Sequence, residues 1–135
     1  MSTPHFRCWL IALTLLLGLS QTAQAFGPNG HRIVAQIAEN HLTPAAKAAV
    51  KDLTRGQYLA QLANWPDKIR SDHRWKHAGP WHYVSIDDNE SFDNFKRSRR
   101  GDVLEALSRF EQQLRDPATE REKRWQALAF YIHFV

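Results

Sequence analysis

The sequence predicts an all-α domain with one irregular insert at about residues 71–101. Three observations carry that reading. Apolar residues recur at three- and four-residue spacing in one segment after another, as helices with a buried face require. Helix-start and helix-stop residues punctuate those segments. No segment alternates apolar and polar residues as half-buried strands do, so a sheet-based fold is not expected.

Taken in order, Asn29 fits the cap of a helix in which Ile33, Val34, Ile37, Ala38 and His41 share one face. Thr43-Pro44 reads as cap and first position of the next helix, which runs to about Leu53 and ends at Arg55-Gly56. Tyr58, Leu59, Leu62, Ala63 and Trp65 then repeat at helical spacing. Pro66 lies inside this pattern and either kinks the helix or opens a new one carrying Asp67-Lys68-Ile69-Arg70. In the insert, His73, His77, Gly79-Pro80 and Asp87-Asp88-Asn89 are loop chemistry. Trp81 to Ile86 is either an extended segment or a tightly packed connection. Asp102 caps a helix with Val103, Leu107, Phe110 and Leu114 along one stripe, and Asp116-Pro117 breaks it. Thr119-Glu120-Arg121-Glu122 reads as a capping box opening the last helix, where Trp125, Leu128, Ala129 and Ile132 line the core and His133 stands beside them. There is no internal repeat and no low-complexity segment.

The first 25 residues read as a signal peptide. Arg7 supplies a positive start, Cys8 to Leu19 an apolar run, and Ala23-Gln24-Ala25 a cleavage site. The apolar run is shorter than the ~20 residues of a spanning helix, and no later stretch is apolar enough to span. The expectation is export, to the periplasm or the medium, without stable membrane association. The sole cysteine, Cys8, lies in this segment, so a chain starting at Phe26 has no disulfide. Its 17 basic and 14 acidic residues leave a mild excess that does not by itself argue for nucleic acid. The basic residues do cluster at Lys96-Arg97-Ser98-Arg99-Arg100, which suits either a solvated loop or a phosphate backbone. Residues 26–135 suffice for one small domain. The last stretch, Trp125 to Val135, is apolar and helical and carries no stop signal, so the chain is expected to be truncated.

Cleavage after Ala25 would leave the α-amine of Phe26 five residues before His31. An α-amine loses its proton near pH 8, so amine and carbonyl of Phe26 can chelate a metal with His31. The same spacing also fits a chain that merely starts there, with His31 packed or capping in the first helix. Asp67 follows Trp65-Pro66, His82 lies between Trp81 and Tyr83, and His133 lies between Ile132 and Phe134. A carboxylate or imidazole in such surroundings must be paired, hydrogen-bonded or metal-bound, because burying it otherwise costs several kcal/mol. With His31 they form a His₃Asp donor set suited to Zn²⁺. Singly, Asp67 also fits a helix cap and His133 a satisfied core histidine. His41, His73 and His77 read as surface or loop histidines. Trp75 and Trp81 are possible base-stacking rings, although Trp81 fits core packing better.

These residues meet a known family. Phe26-Gly27-Pro28-Asn29-Gly30-His31 resembles the mature start of the S1/P1 nucleases, typically Trp-Gly-x-x-Gly-His. Asn64-Trp65-Pro66-Asp67-Lys68-Ile69-Arg70 resembles their Trp-Ala-Asp-x-x-Arg helix, Trp81-His82-Tyr83-Val84 their His-Tyr-Val segment, and Ala127 to Val135 their Leu-x-Phe-Leu-x-His-Phe-x helix. Four matches fall in order across residues 26–135. The resemblance implies the N-terminal part of a phospholipase C/P1 nuclease-like helical domain. It implies that Phe26 and His31 would bind one zinc, that Asp67, His82 and His133 would bind a second, and that Arg70 would stand near the scissile phosphate. Asp67 and Arg70 would then be the catalytic positions. The implied activity is zinc-assisted in-line hydrolysis of single-stranded DNA and RNA to 5′-phosphate products, with 3′-nucleotides as further substrates, by a monomer.

Two departures matter. Phe26 replaces tryptophan, which leaves the backbone ligands intact. The chain also stops before the family's Gly-Asp-x-x-Gln-Pro-Leu-His and His-x-x-x-Asp stretches, which hold the remaining ligands of a three-zinc cluster, so the chain alone is expected to be a poor catalyst. Where the family has an acidic residue after His82, Ser85 stands, and Asp87 is a weak substitute. Two other readings remain: a zinc-dependent phospholipase C, disfavoured by the polar, basic loop from Asp87 to Arg100, and a non-catalytic secreted helical fragment.

Overall fold

Two prolines open the first two helices of the computed structural model, which describes residues 27–135. The candidate signal peptide and Phe26 lie outside the described residues. Helix α1 (Pro28–His41) has Pro28 at its first position and the extended Gly27 before it. Asn29, expected to cap, lies inside the first turn instead. Proline costs nothing at the first helical position, where its missing N–H has no partner to lose, and it presets φ. The buried face also differs from expectation. Ala35 and Glu39 are buried, whereas Ile33 and Ile37 are 60% and 52% exposed. Residues two apart on a helix diverge by about 200°, so burying Ala35 turns both isoleucines outward.

Helix α2 (Pro44–Leu53) begins as the sequence indicates, with Thr43 Oγ1 accepting from the Ala46 N–H at 3.2 Å. It ends at Arg55 and Gly56, both at positive φ, and the Gly56 N–H donates to the Lys51 carbonyl at 2.8 Å. Two short helices follow, α3 (Leu59–Leu62) and α4 (Trp65–Ile69). Pro66 therefore opens a new helix. Buried Glu39 reaches across from α1, and its Oε2 accepts from the Leu59 N–H at 3.0 Å. One carboxylate thus supplies the start of α3 and ties it to α1.

The insert is more ordered than predicted. His73–His82 is a run of 3₁₀ turns, begun by the Asp72 carboxylate accepting from the Arg74 N–H. Pro80 has no N–H to give and still fits within the run. Tyr83 leaves it in extended geometry. Residues 84–102 then form a loop closed at its base, because the Val103 N–H donates to the Tyr83 carbonyl at 3.1 Å.

Helix α5 (Val103–Arg115) is capped by buried Asp102, whose Oδ1 accepts from the N–H groups of Leu104 and Glu105, both at 3.0 Å. Arg97 donates to both oxygens of the same carboxylate. This pair holds the Asp102 carboxyl below the ordinary carboxylate range. It also takes Arg97 out of the basic run as a free cation. Gly101 at φ +82° brings the backbone against Trp81, leaving only 3.3 Å between the ring and the place a Cβ would occupy. The last helix, α6 (Arg121–Phe134), is preceded by Glu120 at the cap position, so Thr119 stands one residue too early for the expected capping box and its hydroxyl donates to Asp116.

Helix α6 is the centre of the domain. Ala127 and Phe130 pack with Ala78, Ala106 and Phe110 on one side, and Ile132 packs with Ala35, Leu59 and Ala63 on the other. Its buried set, Ala127, Ala129, Phe130, Ile132 and His133, wraps around the helix rather than forming the narrower stripe expected; Trp125 and Leu128 are half-buried. A helix covered on several sides must be apolar on several sides. Phe130 stacks on Phe110 at 4.9 Å, and Trp65 and Trp81 each meet it edge-on at 5.5 Å. No strand occurs among the described residues, so the domain is all-α. No described helix is long and apolar enough to cross a membrane.

Replacing Asp102 by alanine removes a cap and the partner of Arg97 together. The expected loss is about 2 kcal/mol, read as a lower urea midpoint. A midpoint within error of wild type would show that the cap does not hold the loop to α5.

Candidate metal centre

The ends of four elements meet at one cleft of about 500 Å³. Helix α1 brings His31 on its first turn, α4 brings Asp67, the 3₁₀ run brings His82 as its last residue, and α6 brings His133. Asp67 is the hub. Its Oδ1 lies 3.7 Å from His133 Nε2 and 3.8 Å from His82 Nε2, and its Oδ2 lies 4.0 Å from His31 Nε2. These separations are too long for hydrogen bonds. Two donors bound to one tetrahedral zinc stand roughly 3.3–3.6 Å apart, so the spacing is close to that of ligands around an ion. The candidate ligand atoms of His31, Asp67 and His133 all lie within 4.8 Å of one another.

The rings are oriented from behind. His133 Nδ1 lies 2.7 Å from the Ala63 carbonyl, and His82 Nδ1 lies 3.2 Å from the Ala78 carbonyl. A carbonyl can only accept, so each Nδ1 carries the proton and each Nε2 presents a lone pair towards Asp67. That is the arrangement of metal-ligating histidines. His82 Nε2 is buried and has no hydrogen-bond partner among the described residues. A buried nitrogen left this way costs about 1–3 kcal/mol, which a metal bond would offset. The residues present therefore fit a divalent metal. Burial also pulls His82 and His133 below the ordinary histidine range, which keeps both rings neutral and ready to ligate.

Arg70 and Tyr83 stand at the mouth. Arg70 Nη1 lies 3.9 Å from Asp67 Oδ1, its other terminal nitrogen donates to the Tyr83 hydroxyl, and its guanidinium lies 5.4 Å from the centre of the Tyr83 ring. A cation beside the carboxylate hub, half exposed, can meet an incoming anion.

The described residues of the expected donor set, His31, Asp67, His82 and His133, thus come together. His31, assigned by resemblance with Phe26 to a separate ion, lies in the same cluster as Asp67, and its ring stacks on His133 at 4.0 Å. Phe26 lies outside the described residues. Asp87 is exposed and held in a turn with Glu90, away from the cleft lining. His41, His73 and His77 are exposed, as expected. Sequence reasoning did not identify the carbonyls of Ala63 and Ala78, which have no side-chain signature, nor the Tyr83 hydroxyl, which was visible only as part of a motif.

Three histidines and an aspartate thus meet from four elements of an all-α domain, a donor set that could hold a metal ion. The chain belongs to the S1/P1 nuclease family: residues 26–135 match the family described as S1/P1 Nuclease. Among curated proteins it is similar to Nuclease P1 of Penicillium citrinum, 25% identical over 118 residues covering 82% of this chain and 44% of that protein. It is also similar to Endonuclease 4 of Arabidopsis thaliana, 28% identical over 149 residues covering 98% of this chain and 50% of that protein. Endonuclease 5 of the same plant is 32% identical over 83 residues, covering 58% of this chain and 28% of that protein. The chain spans about half the length of the curated relatives it matches.

The buried rings give a signed pH dependence for metal-free protein. Their pKa lies below the ordinary value of 6.5 in the folded state, so the unfolded chain binds more protons just below pH 6.5. Stability is full above that pH and falls as the pH drops through and below it. The urea midpoint in EDTA should therefore decline between about pH 7 and pH 5, and less steeply in a His82→Gln variant. An equal slope in the variant would contradict the burial of a neutral His82.

Proposed function

We propose that this chain is part of an exported, zinc-dependent nuclease that hydrolyses single-stranded DNA and RNA. The single observation that supports this most is the convergence of His31, Asp67, His82 and His133, four residues from four elements of an S1/P1 domain, on one cleft with Arg70 at its mouth. In this reading Asp67, His82 and His133 hold one zinc. His31 holds a second together with the amine and carbonyl of Phe26 after removal of residues 1–25. Gly27 stands one helical turn before His31.

When bound, zinc supplies Lewis acidity that offsets phosphate charge and lowers the pKa of water. The chain's own residues do the rest. Ala63 and Ala78 fix the tautomers of His133 and His82. Asp67 places negative charge between the three rings. Arg70 pairs with a non-bridging oxygen of the scissile phosphate, exchanging its long contact to Asp67 for a charge-assisted one. Tyr83 holds the guanidinium in place and offers a half-exposed ring beside it. A 5′-phosphate product, removal of 3′-phosphates and a monomeric enzyme complete the proposal.

In full-length zinc-loaded protein, Asp67→Asn and His82→Ala should each lower hydrolysis of single-stranded DNA by about 100-fold or more and reduce bound zinc, with helical circular dichroism retained. Phosphatidylcholine should not be turned over. Wild-type rates in both variants would remove the assignment, and turnover of the lipid in preference to DNA would move it to a phospholipase. Zinc should also raise the melting temperature of wild type, by mass action on a folded-state site; no shift with zinc at saturating activity-assay levels would argue against a built site.

A further inference from the structure

Asn64 holds a capping position without capping. It precedes α4 directly, between Ala63 and Trp65, and lies three residues before Asp67. Asparagine is among the strongest N-caps because its side-chain oxygen accepts from the second or third N–H of the helix. Asn64 makes no such bond. Pro66, the second residue of α4, has no N–H to offer. The amide turns across to α1 instead, where Nδ2 donates to the Pro28 carbonyl at 3.0 Å. Asn64 Oδ1 is buried and has no hydrogen-bond partner among the described residues.

The bond to Pro28 is one rung of a ladder between α1 and α4. Three residues further along both helices, His31 Nε2 faces Asp67 Oδ2 at 4.0 Å. The start of α1 therefore lies against Asn64, and its first turn lies at the metal cluster. Buried side-chain oxygens are nearly always hydrogen-bonded, so a donor belongs at this end of α1. The described chain supplies none. Pro28 has no N–H, the N–H groups of Gly30 and His31 are directed at the Gly27 carbonyl, and Asn29 is exposed. The source left is the chain before Gly27. An α-amine that gives its lone pair to a metal keeps two N–H bonds, and each needs an acceptor when buried. A peptide nitrogen at the same position has no lone pair to give.

We propose that Asn64 is a positioning residue for the mature N-terminus: its Oδ1 accepts a hydrogen bond from the α-amine of Phe26, while its Nδ2 holds the start of α1. One amide then fixes the direction of the amine and the place of the helix that carries His31. Acceptors behind a metal ligand orient it and raise its basicity. Cleavage after Ala25 creates the amine and so completes the hydrogen bonding of Asn64. The inference rests on the reading of Phe26 and His31 as joint ligands of one zinc.

The test compares full-length protein beginning at Phe26 with the same protein retaining Ala25, in which the nitrogen of Phe26 is a peptide N–H. Zinc held per chain is measured over a series of buffered free-zinc concentrations, with helical circular dichroism as the check on folding. The amine-dependent step is the one that Ala25 weakens. In the protein beginning at Phe26, Asn64→Ala should move that step to free zinc about tenfold higher or more. In the protein retaining Ala25 the same substitution should change nothing. Asn64→Asp keeps an acceptor and loses the Nδ2 donor, so its step should need no more free zinc than wild type. Equal weakening in Asn64→Ala and Asn64→Asp would assign the effect to the Pro28 bond alone and overturn the proposal. A wild-type step in Asn64→Ala would also overturn it, and would leave the metal reading of Phe26 standing. Should Asn64→Ala fail to fold, Asn64→Asp decides: a weakened step in folded protein overturns the proposal, and a retained one supports it. If Ala25 weakens no step, the Phe26 amine is not a ligand, and the N-terminal metal reading falls together with the role of Asn64.

Discussion

The hydrogen bond between His133 and the Ala63 carbonyl sets the arrangement of the whole domain. It crosses from the central helix α6 to the end of α3, at 2.7 Å, inside the core. It selects the tautomer of the imidazole, and so decides which nitrogen faces Asp67. Ala63 can serve as that acceptor only because α3 is fixed in turn. Glu39 from α1 supplies the hydrogen bond at the start of α3, and Asn64 donates to the Pro28 carbonyl at 3.0 Å. A polar chain thus runs from α1 through α3 to α6, and each link is satisfied at one end by backbone. Buried polar groups in such a chain specify one arrangement, because any shift leaves a donor or acceptor unmade.

The apolar core works with that chain. Phe130 is 1% exposed and is surrounded by rings from α4, α5 and the 3₁₀ run. Edge-to-face and stacked contacts of this kind each add about 0.5–1.5 kcal/mol beyond area burial. Their greater consequence is positional. Rings wedged edge-on against one another cannot slide without losing contact, and the ligands lie one to three residues from them. The precision of the metal cleft is therefore borrowed from packing on the other side of the same backbone.

Much of the fold was legible from local chemistry. Thr43-Pro44, Arg55-Gly56, Asp102 and Asp116-Pro117 mark boundaries because each acts through its own backbone neighbours. Features decided by distant partners were not legible. Ile33 and Ile37 match a helical period, but only the contacts of Ala35 and Glu39 determine which side of α1 faces inward. Thr119 has the residue type of a capping box, but the helix begins one residue later, with Glu120 at the cap position. The 3₁₀ run contains glycine and proline, which read as loop, yet ring contacts of Trp75 and Trp81 with Trp65, Phe110 and Phe130 hold it in repeating turns. At the site, the order of the motifs identified His31, Asp67, His82 and His133. Nothing in the sequence signalled the carbonyls that aim them.

The loop over residues 84–102 has a different kind of consequence. The hydrogen bond between Val103 and Tyr83 joins its two ends, and Asp102 with Arg97 anchors it beside that bond. Material added between these anchors need not disturb α5 or the 3₁₀ run. The entropy of closing a loop grows only with the logarithm of its length, about 0.6 kcal/mol for each doubling. Because the loop departs from Tyr83 at the mouth of the cleft, it is a place where evolution can insert, delete and recompose sequence beside the His/Asp cluster at small thermodynamic cost. Diversity in what such a cleft admits can accumulate there while the ligands themselves stay fixed.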